Sequence, residues 1–220
     1  MASIIDNTYF NKGALYIPNN KDINVSPVGT PTNQTDLDFF IEKYERELLL
    51  NALGVTLYYE LQAELPTPSI QKWIDLVDGK TYTDNRGNVK RWDGLKGHSK
   101  QSVISFYVFC NFLRNDNETY ATVGTVKNTA KNATIVDATP NYIKARDSFI
   151  DQYQGNQNSM YPTVITNRSG AIGYDWYGGN NVQVSLHQYL TDSNELDITS
   201  FPDFTNYFRF YDGMKNSFGI

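Results

Sequence analysis

The side chains that most often perform nucleophilic or metal chemistry are scarce in this chain. It contains one cysteine, Cys110, and two histidines, His98 and His187. A single cysteine excludes both an intramolecular disulfide and a cysteine-based metal cluster. The patterns HExxH, GxSxG, CxxC and GxxxxGK[ST] do not occur in the sequence. The sequence therefore predicts no catalytic residue, no metal ligand and no cofactor, and it favours a non-enzymatic protein.

Local sequence suggests structural roles for the three rare residues. His98 stands next to Ser99, and both are placed to cap the start of a helix. Cys110 lies on an apolar helix face, where a buried and unreactive thiol is expected. His187, between Leu186 and Gln188, is interpreted as a packed or a surface histidine and not as a ligand.

Carboxylates are numerous, and two kinds of role are open to them. Glu42, Glu45 and Glu47 are expected to solvate one helix face. A carbohydrate-active enzyme would need two carboxylates facing each other in a cleft beside Trp92 or Trp176, where they could act as acid and base.

One locally basic patch surrounds Trp92. Its members are Arg86, Lys90, Arg91, Lys96 and Lys100. The patch could bind phosphate, pair with an acidic neighbouring subunit, or simply solvate a hairpin.

The composition is that of an acidic chain rich in contact-forming residues. The 220 residues carry a net charge of −5 and include 16 Tyr and 12 Phe. Tyrosine and asparagine provide contact area and hydrogen bonds at a low cost in rotamer entropy. The acidic balance disfavours gripping nucleic acid. No stretch approaches the roughly 20 apolar residues of a membrane span, and no signal peptide is recognisable, so we expect no membrane partner.

The elements that position these residues are predicted to be mainly helical. A first helix carries an apolar stripe at helical spacing, formed by Leu37, Phe40, Ile41, Tyr44 and Leu48. Gly54 predicts its end, and a short second helix follows. Ser69 is predicted to cap a third helix that stops at Gly79. Residues 99–114 are apolar on nearly all sides, which predicts a helix that is central or lies between subunits. Thr139 and Pro140 open a further helix that stops at Gly155.

Two hairpins and three less regular regions complete the chain. Strands 80–83 and 88–92 flank the turn 84–87, and strands 161–166 and 171–177 flank the turn 167–170. Residues 115–132 are predicted as a surface loop, whereas 182–190 could be a strand or a helix. The fold class is mainly α, a small bundle of four to five helices with appended β-hairpins and extended terminal arms. The predicted parts are an arm (1–34), a helical core with an inserted hairpin (35–155, hairpin 80–92), and a β-hairpin with an aromatic tail (156–220).

Three segments together resemble a known family. They are residues 40–49 (FIEKYERELL) continuing into Ala52, Leu53 and Gly54, residues 73–79 (WIDLVDG), and residues 92–95 (WDGL) followed by 106–109 (FYVF). Their order and spacing resemble head–tail connector proteins of tailed bacteriophages, especially phages of Bacteroides and the crAss-like group. The likeness covers roughly residues 36 to 114, and residues 216–220 (NSFGI) show a weaker similarity to the same family.

The resemblance implies a virion structural protein in the neck, between capsid and tail, assembled in the host cytoplasm. Its copies form a homo-oligomeric ring, expected to be dodecameric, that binds the portal protein, contacts other neck or tail proteins, extends the DNA channel and offers the tail a docking face. DNA only passes through the channel. The alternatives are a tail-completion or terminator ring, a carbohydrate-active enzyme, and a host-binding module. We expect partner contacts at ten residues: Asn85, Arg86, Trp92, Arg168, Trp176, Phe204, Tyr207, Phe208, Phe210 and Tyr211.

Overall fold

The computed structural model describes residues 3–17, 33–116, 119–121, 124–126, 139–155 and 183–211. The predicted mainly α class with an antiparallel hairpin is confirmed. The helices are α1 (Asn33–Glu64), α2 (Gln71–Asp78), α3 (Val103–Asp116), α4 (Thr139–Tyr153), α5 (Leu186–Leu196) and the single turn α6 (Phe204–Tyr207). The strands are β1 (Lys80–Thr83), β2 (Val89–Trp92), β3 (Thr119–Ala121) and β4 (Gly124–Val126).

Helix α1 buries the stripe that its sequence spacing predicts. The buried members are Leu37, Ile41, Tyr44 and Leu48, and Phe40 is partly buried. The helix is interrupted at Gly54, whose φ of 78° and ψ of 174° are not helical. A Cβ at this position would lie 2.6 Å from Cγ of Tyr207, so glycine is required both by the backbone and by the neighbouring ring. The predicted break at Gly54 is confirmed.

Helix α2 begins differently from its prediction and ends as predicted. The N-cap position belongs to Ile70, so the prediction of a Ser69 cap is wrong. Ser69 instead donates its N–H (2.9 Å) and its hydroxyl (3.0 Å) to Oε2 of Glu64 at the end of α1. Gly79 ends α2 with a φ of 93°. The chain then enters β1, which pairs antiparallel with β2.

Helix α3 lies in the centre of the fold, as its apolar residues on nearly all sides predict. Residues 102–110 are all buried, and the helix contacts both α1 and α4. It begins at Val103 because Ser102 and Ser105 cap it reciprocally. The Ser102 hydroxyl accepts the Ser105 N–H (3.1 Å), and the Ser105 hydroxyl accepts the Ser102 N–H (2.8 Å). The predicted capping by His98 and Ser99 is therefore wrong, since both precede the capping serine.

The N-terminal residues 3–17 do not form the predicted extended arm. They make two short 3₁₀ turns, Asn7–Phe10 and Gly13–Leu15, against the helices. Five apolar side chains of the segment are buried: Ile4, Ile5, Phe10, Leu15 and Ile17. Apolar residues without a helical or strand period can still be buried one at a time where tight turns redirect the chain. The arm prediction is wrong for this segment.

In the region 182–190, which the sequence left open between strand and helix, α5 makes residues 186–190 helical, whereas Gln183 forms an isolated β-bridge with Arg91. The N-cap of α5, Ser185, accepts the N–H of Gln188 at 3.2 Å. Buried residues of 183–211 belong to the same hydrophobic core as those of α1 and α3. The predicted boundary at residue 156 therefore separates no second core within the described residues.

The region predicted as a loop at 115–132 contains a small hairpin. Strands β3 and β4 pair antiparallel, with Thr119 opposite Val126. The loop prediction is wrong for these six residues. The predicted hairpin at 161–177 lies outside the described residues.

Candidate interaction surfaces

The tip of the β1–β2 hairpin is exposed and held in one conformation. Asp84 accepts the backbone N–H groups of Arg86 (3.0 Å) and Asn88 (2.7 Å) and the side-chain amide of Asn88 (3.0 Å). These hydrogen bonds, the Asn88 side chain first among them, lower the pKa of Asp84. Asn85 Nδ2 donates to Glu195 on α5 at 2.5 Å, which fixes the tip to the helix. Asn85 and Arg86 are thus presented on a structured turn.

Trp92 is a core residue, which corrects its prediction as a contact residue. Its side chain is buried, and its Nε1 donates to the carbonyl of Leu76 at 2.9 Å. The indole stacks on the Tyr189 ring with centroids 5.5 Å apart and planes 15° apart. A tryptophan with its polar atom satisfied inside the core has no surface to offer a partner.

Two predicted contact residues of the aromatic tail also belong to the core. Phe204 and Phe208 are 1% and 6% exposed. The Phe208 ring stacks on Tyr153 of α4 with centroids 4.6 Å apart. Burying these rings in the core stabilises the fold, so the prediction of Phe204 and Phe208 as partner contacts is wrong.

The other tail residues predicted as partner contacts are more exposed than Phe204 and Phe208. Tyr207 and Phe210 are 53% and 52% exposed. Tyr211 is partly buried. The side-chain amide of Gln154 donates to the Tyr211 carbonyl and accepts the Tyr211 N–H, both at 2.7 Å. The tail therefore alternates between rings that hold it to the core and rings that face outward.

Further exposed apolar side chains lie on the elements that carry predicted contact residues, and we group them with those residues as two candidate surfaces. The first, the helix–tail surface, comprises Val55 and Tyr59 of α1 with Tyr207 and Phe210 of the tail. The second, the hairpin surface, comprises Asn85, Arg86, Val89, Leu196 and Ile198, of which Ile198 is 75% exposed. The Asn85–Glu195 hydrogen bond brings hairpin and helix together at the second surface. Val55 and Tyr59 are four residues apart on α1 and lie off its buried stripe, so they share one exposed face of the helix. This spacing was the sequence signal that could have indicated the helix–tail surface.

The predicted basic patch is largely used within the chain. Lys96 pairs with Asp78 at 2.6 Å and Arg91 with Asp93 at 3.1 Å. Lys100 donates to the Thr8 hydroxyl at 2.5 Å, and Lys90 is buried. Because its cations are paired or packed locally, the patch does not form one free phosphate-binding surface. Arg86 is exposed at the hairpin tip, and Arg91, Lys96 and Lys100 are also exposed but engaged with the partners named above.

A cavity beside Trp92 contains two carboxylates, the arrangement that a carbohydrate-active enzyme would use. The cavity measures about 250 Å³, and Asp78 and Asp93 line it with His98. Both carboxylates are engaged with Lys96 and Arg91, as described above. This pairing gives an acid–base role at Trp92 no support.

Cys110 and His187, unlike His98, occupy the places that the sequence suggests. Cys110 is buried, and burial raises the pKa of its thiol to about 12, so the reactive thiolate is disfavoured. His187 packs among the rings of Phe204, Phe208 and Phe210, and burial lowers its pKa. Within the described residues, no three histidine, cysteine or carboxylate side chains are grouped so that they could hold a metal ion. In the same part of the chain, no helix combines the length and apolarity needed to cross a bilayer.

Two predicted contact residues, Arg168 and Trp176, lie outside the described residues. No family model matches this chain, and neither a curated protein nor a solved structure does.

Proposed function

We propose that this protein is a subunit of a head–tail connector ring in a tailed bacteriophage. In this role it binds the portal, extends the DNA channel and offers the tail a docking face. The sequence resemblance supports this proposal, and two of the resembling segments are in direct contact. The backbone N–H groups of Leu95 and Lys96 donate to the carbonyls of Leu76 (3.0 Å) and Val77 (3.1 Å), which joins residues 92–95 to residues 73–79.

The observation that carries the proposal is the presence of two exposed apolar surfaces on different elements. The helix–tail surface lies on α1 and the tail, and the hairpin surface lies on β2, α5 and the residues that follow α5. A cyclic ring joins unlike faces of successive subunits, so each copy needs two different complementary patches. Exposed apolar residues that join into one contiguous patch mark protein contact sites.

The charge of the chain agrees with a channel through which DNA moves. Each copy carries a net charge of −5, and a ring of such copies repels the phosphates of the duplex. DNA then passes through the ring without being held.

A tail-completion or terminator ring is the second candidate, because the same two surfaces would serve it. It differs in its partner, which would be the tail tube and not the portal. A host-binding module would need one contact surface and no ring.

The proposal is tested with the purified chain and the portal protein of the same phage. Size-exclusion chromatography with multi-angle light scattering is expected to show portal particles that carry a ring of this chain. Tyr207→Asp breaks the helix–tail surface and Ile198→Asp breaks the hairpin surface, so neither variant should close a ring. Glu42→Gln, on the exposed face of α1, is the matched control and should assemble like the wild type.

Mixing the two broken variants sharpens the test. Each retains the face that the other has lost, so an equimolar mixture should form pairs that cannot grow further. The proposal is refuted if the wild-type chain stays monomeric and leaves the portal unchanged. A ring that binds the tail tube but not the portal would favour the second candidate.

A further inference from the structure

A buried carboxylate on α1 is used by the N-terminal segment. Glu45 is 3% exposed and accepts the N–H groups of Ile4 (2.9 Å) and Ile5 (3.3 Å) and the hydroxyl of Ser3 (2.7 Å). Among the described residues, no basic side chain forms an ion pair with it. Because a buried carboxylate without partners is costly, this site on α1 is suited to receive the main chain of a peptide segment.

The rest of the segment is bound in the manner of a separate peptide. Phe10 and Leu15 are completely or almost completely buried. Tyr9 donates its hydroxyl to the carbonyl of Lys96 at 3.1 Å, and Lys100 donates to the Thr8 hydroxyl. Within the described part of the chain, the backbone–backbone hydrogen bonds of residues 3–17 are internal, including that from Ile17 N–H to the Phe10 carbonyl (2.9 Å). The segment therefore has its own local structure and contacts the helices through side chains and Glu45.

The covalent connection permits the segment to reach beyond its own copy. Residues 18–32, fifteen in number, join it to α1. Fifteen residues can span at most about 50 Å, more than the roughly 30 Å diameter of a small domain. The same segment can thus occupy the site on its own chain or the identical site on a neighbouring chain.

We propose that residues 3–17 are exchanged between copies of this chain, so that the segment of one copy binds against Glu45 of the next. Exchange of an identical element between protomers requires no new contact, because the interface already exists within one chain. The proposal rests on the proposed ring for its setting, where each copy has a neighbour at high effective concentration. The bound segment then links successive subunits and adds avidity to the two exposed surfaces.

The first experiment asks whether the segment can leave and be replaced. A protease site is inserted within residues 18–32 of the full-length chain, the chain is cut, and fluorescein-labelled peptide of residues 1–17 is added. Fluorescence polarisation and native mass spectrometry should show the labelled peptide bound in place of the cut segment. A Phe10→Asp peptide should not bind, and Glu45→Ala in the protein should weaken binding more than about tenfold. Failure of the wild-type peptide to enter would overturn the proposal.

The second experiment uses two uncut full-length variants without the portal. Phe10→Asp damages the segment and leaves the site intact, whereas Glu45→Lys damages the site and leaves the segment intact. Their equimolar mixture should form a heterodimer that neither variant forms alone. A mixture that contains only the species that each variant forms alone overturns the exchange. In that case, wild-type rings bound to the portal would still support the proposed function. If the mixture forms the heterodimer but the wild-type chain forms no ring on the portal, the exchange is supported and the proposed ring function is refuted.

Discussion

Replacing Phe208 by alanine tests whether the aromatic tail is part of the core. The Phe208 ring is 6% exposed, stacks on Tyr153 at a centroid distance of 4.6 Å and lies 4.7 Å from the His187 ring. Truncating a buried phenylalanine leaves a cavity and costs about 3–5 kcal/mol. For a chain of this length, each kcal/mol lowers Tm by roughly 2–4 °C, so the expected loss is about 6–20 °C.

Phe210→Ala is the matched control, because it is the same substitution two residues away. Half of the Phe210 ring is already in water, and its neighbours are the rings of Phe208 (5.1 Å) and His187 (4.9 Å). We expect a loss within about 1 kcal/mol. Urea denaturation followed by circular dichroism and tryptophan fluorescence measures both variants. Two equally small losses would refute the packing of the tail, and two equally large losses would refute the surface position of Phe210.

Two further predictions concern α1. Burial raises the pKa of Glu45 above its ordinary value of 4.5, so the folded chain binds the proton more tightly than the unfolded chain. The stability of wild type relative to Glu45→Gln should therefore be greatest below pH 4.5 and fall as the pH rises through the raised pKa. Urea denaturation at several pH values measures this difference in the free energy of unfolding. A difference that does not change with pH would contradict the burial of Glu45. Gly54→Ala should cost about 1–3 kcal/mol in backbone strain and more through its collision with Tyr207. Gly13→Ala is its control, because φ is +82° there but nothing lies within 4 Å of a Cβ, and equal losses of thermal stability would contradict the contact with Tyr207.

The helices were predictable because periodicity and glycine are local signals. The stripe on α1 and the ends at Gly54, Gly79 and Gly155 follow from residue spacing and positive φ. The N-caps were less predictable, since several serines could fill the role. Ser69 hydrogen-bonds Glu64, and Ser102 replaces Ser99 as the cap of α3, because the partner within reach depends on the path of the turn.

The candidate surfaces were less predictable than the fold. Phe208 and Phe210 are the same residue type, and only the position of the tail against α4 buries one and exposes the other. Glu45 was interpreted as a solvated residue with Glu42 and Glu47. It lies four residues after Ile41 and three before Leu48, which places it on the buried stripe, and that register was the available signal. Sequence alone could not show that the N-terminal segment supplies its partners.

Electron microscopy of the purified chain mixed with portal particles shows directly whether the chain assembles into a ring on the portal. We predict an additional ring of density on the portal, with the helix–tail surface of each subunit against the hairpin surface of the next. Portal particles without added density, together with a chain that stays at its monomer mass of 25.1 kDa at every concentration tested, would contradict it.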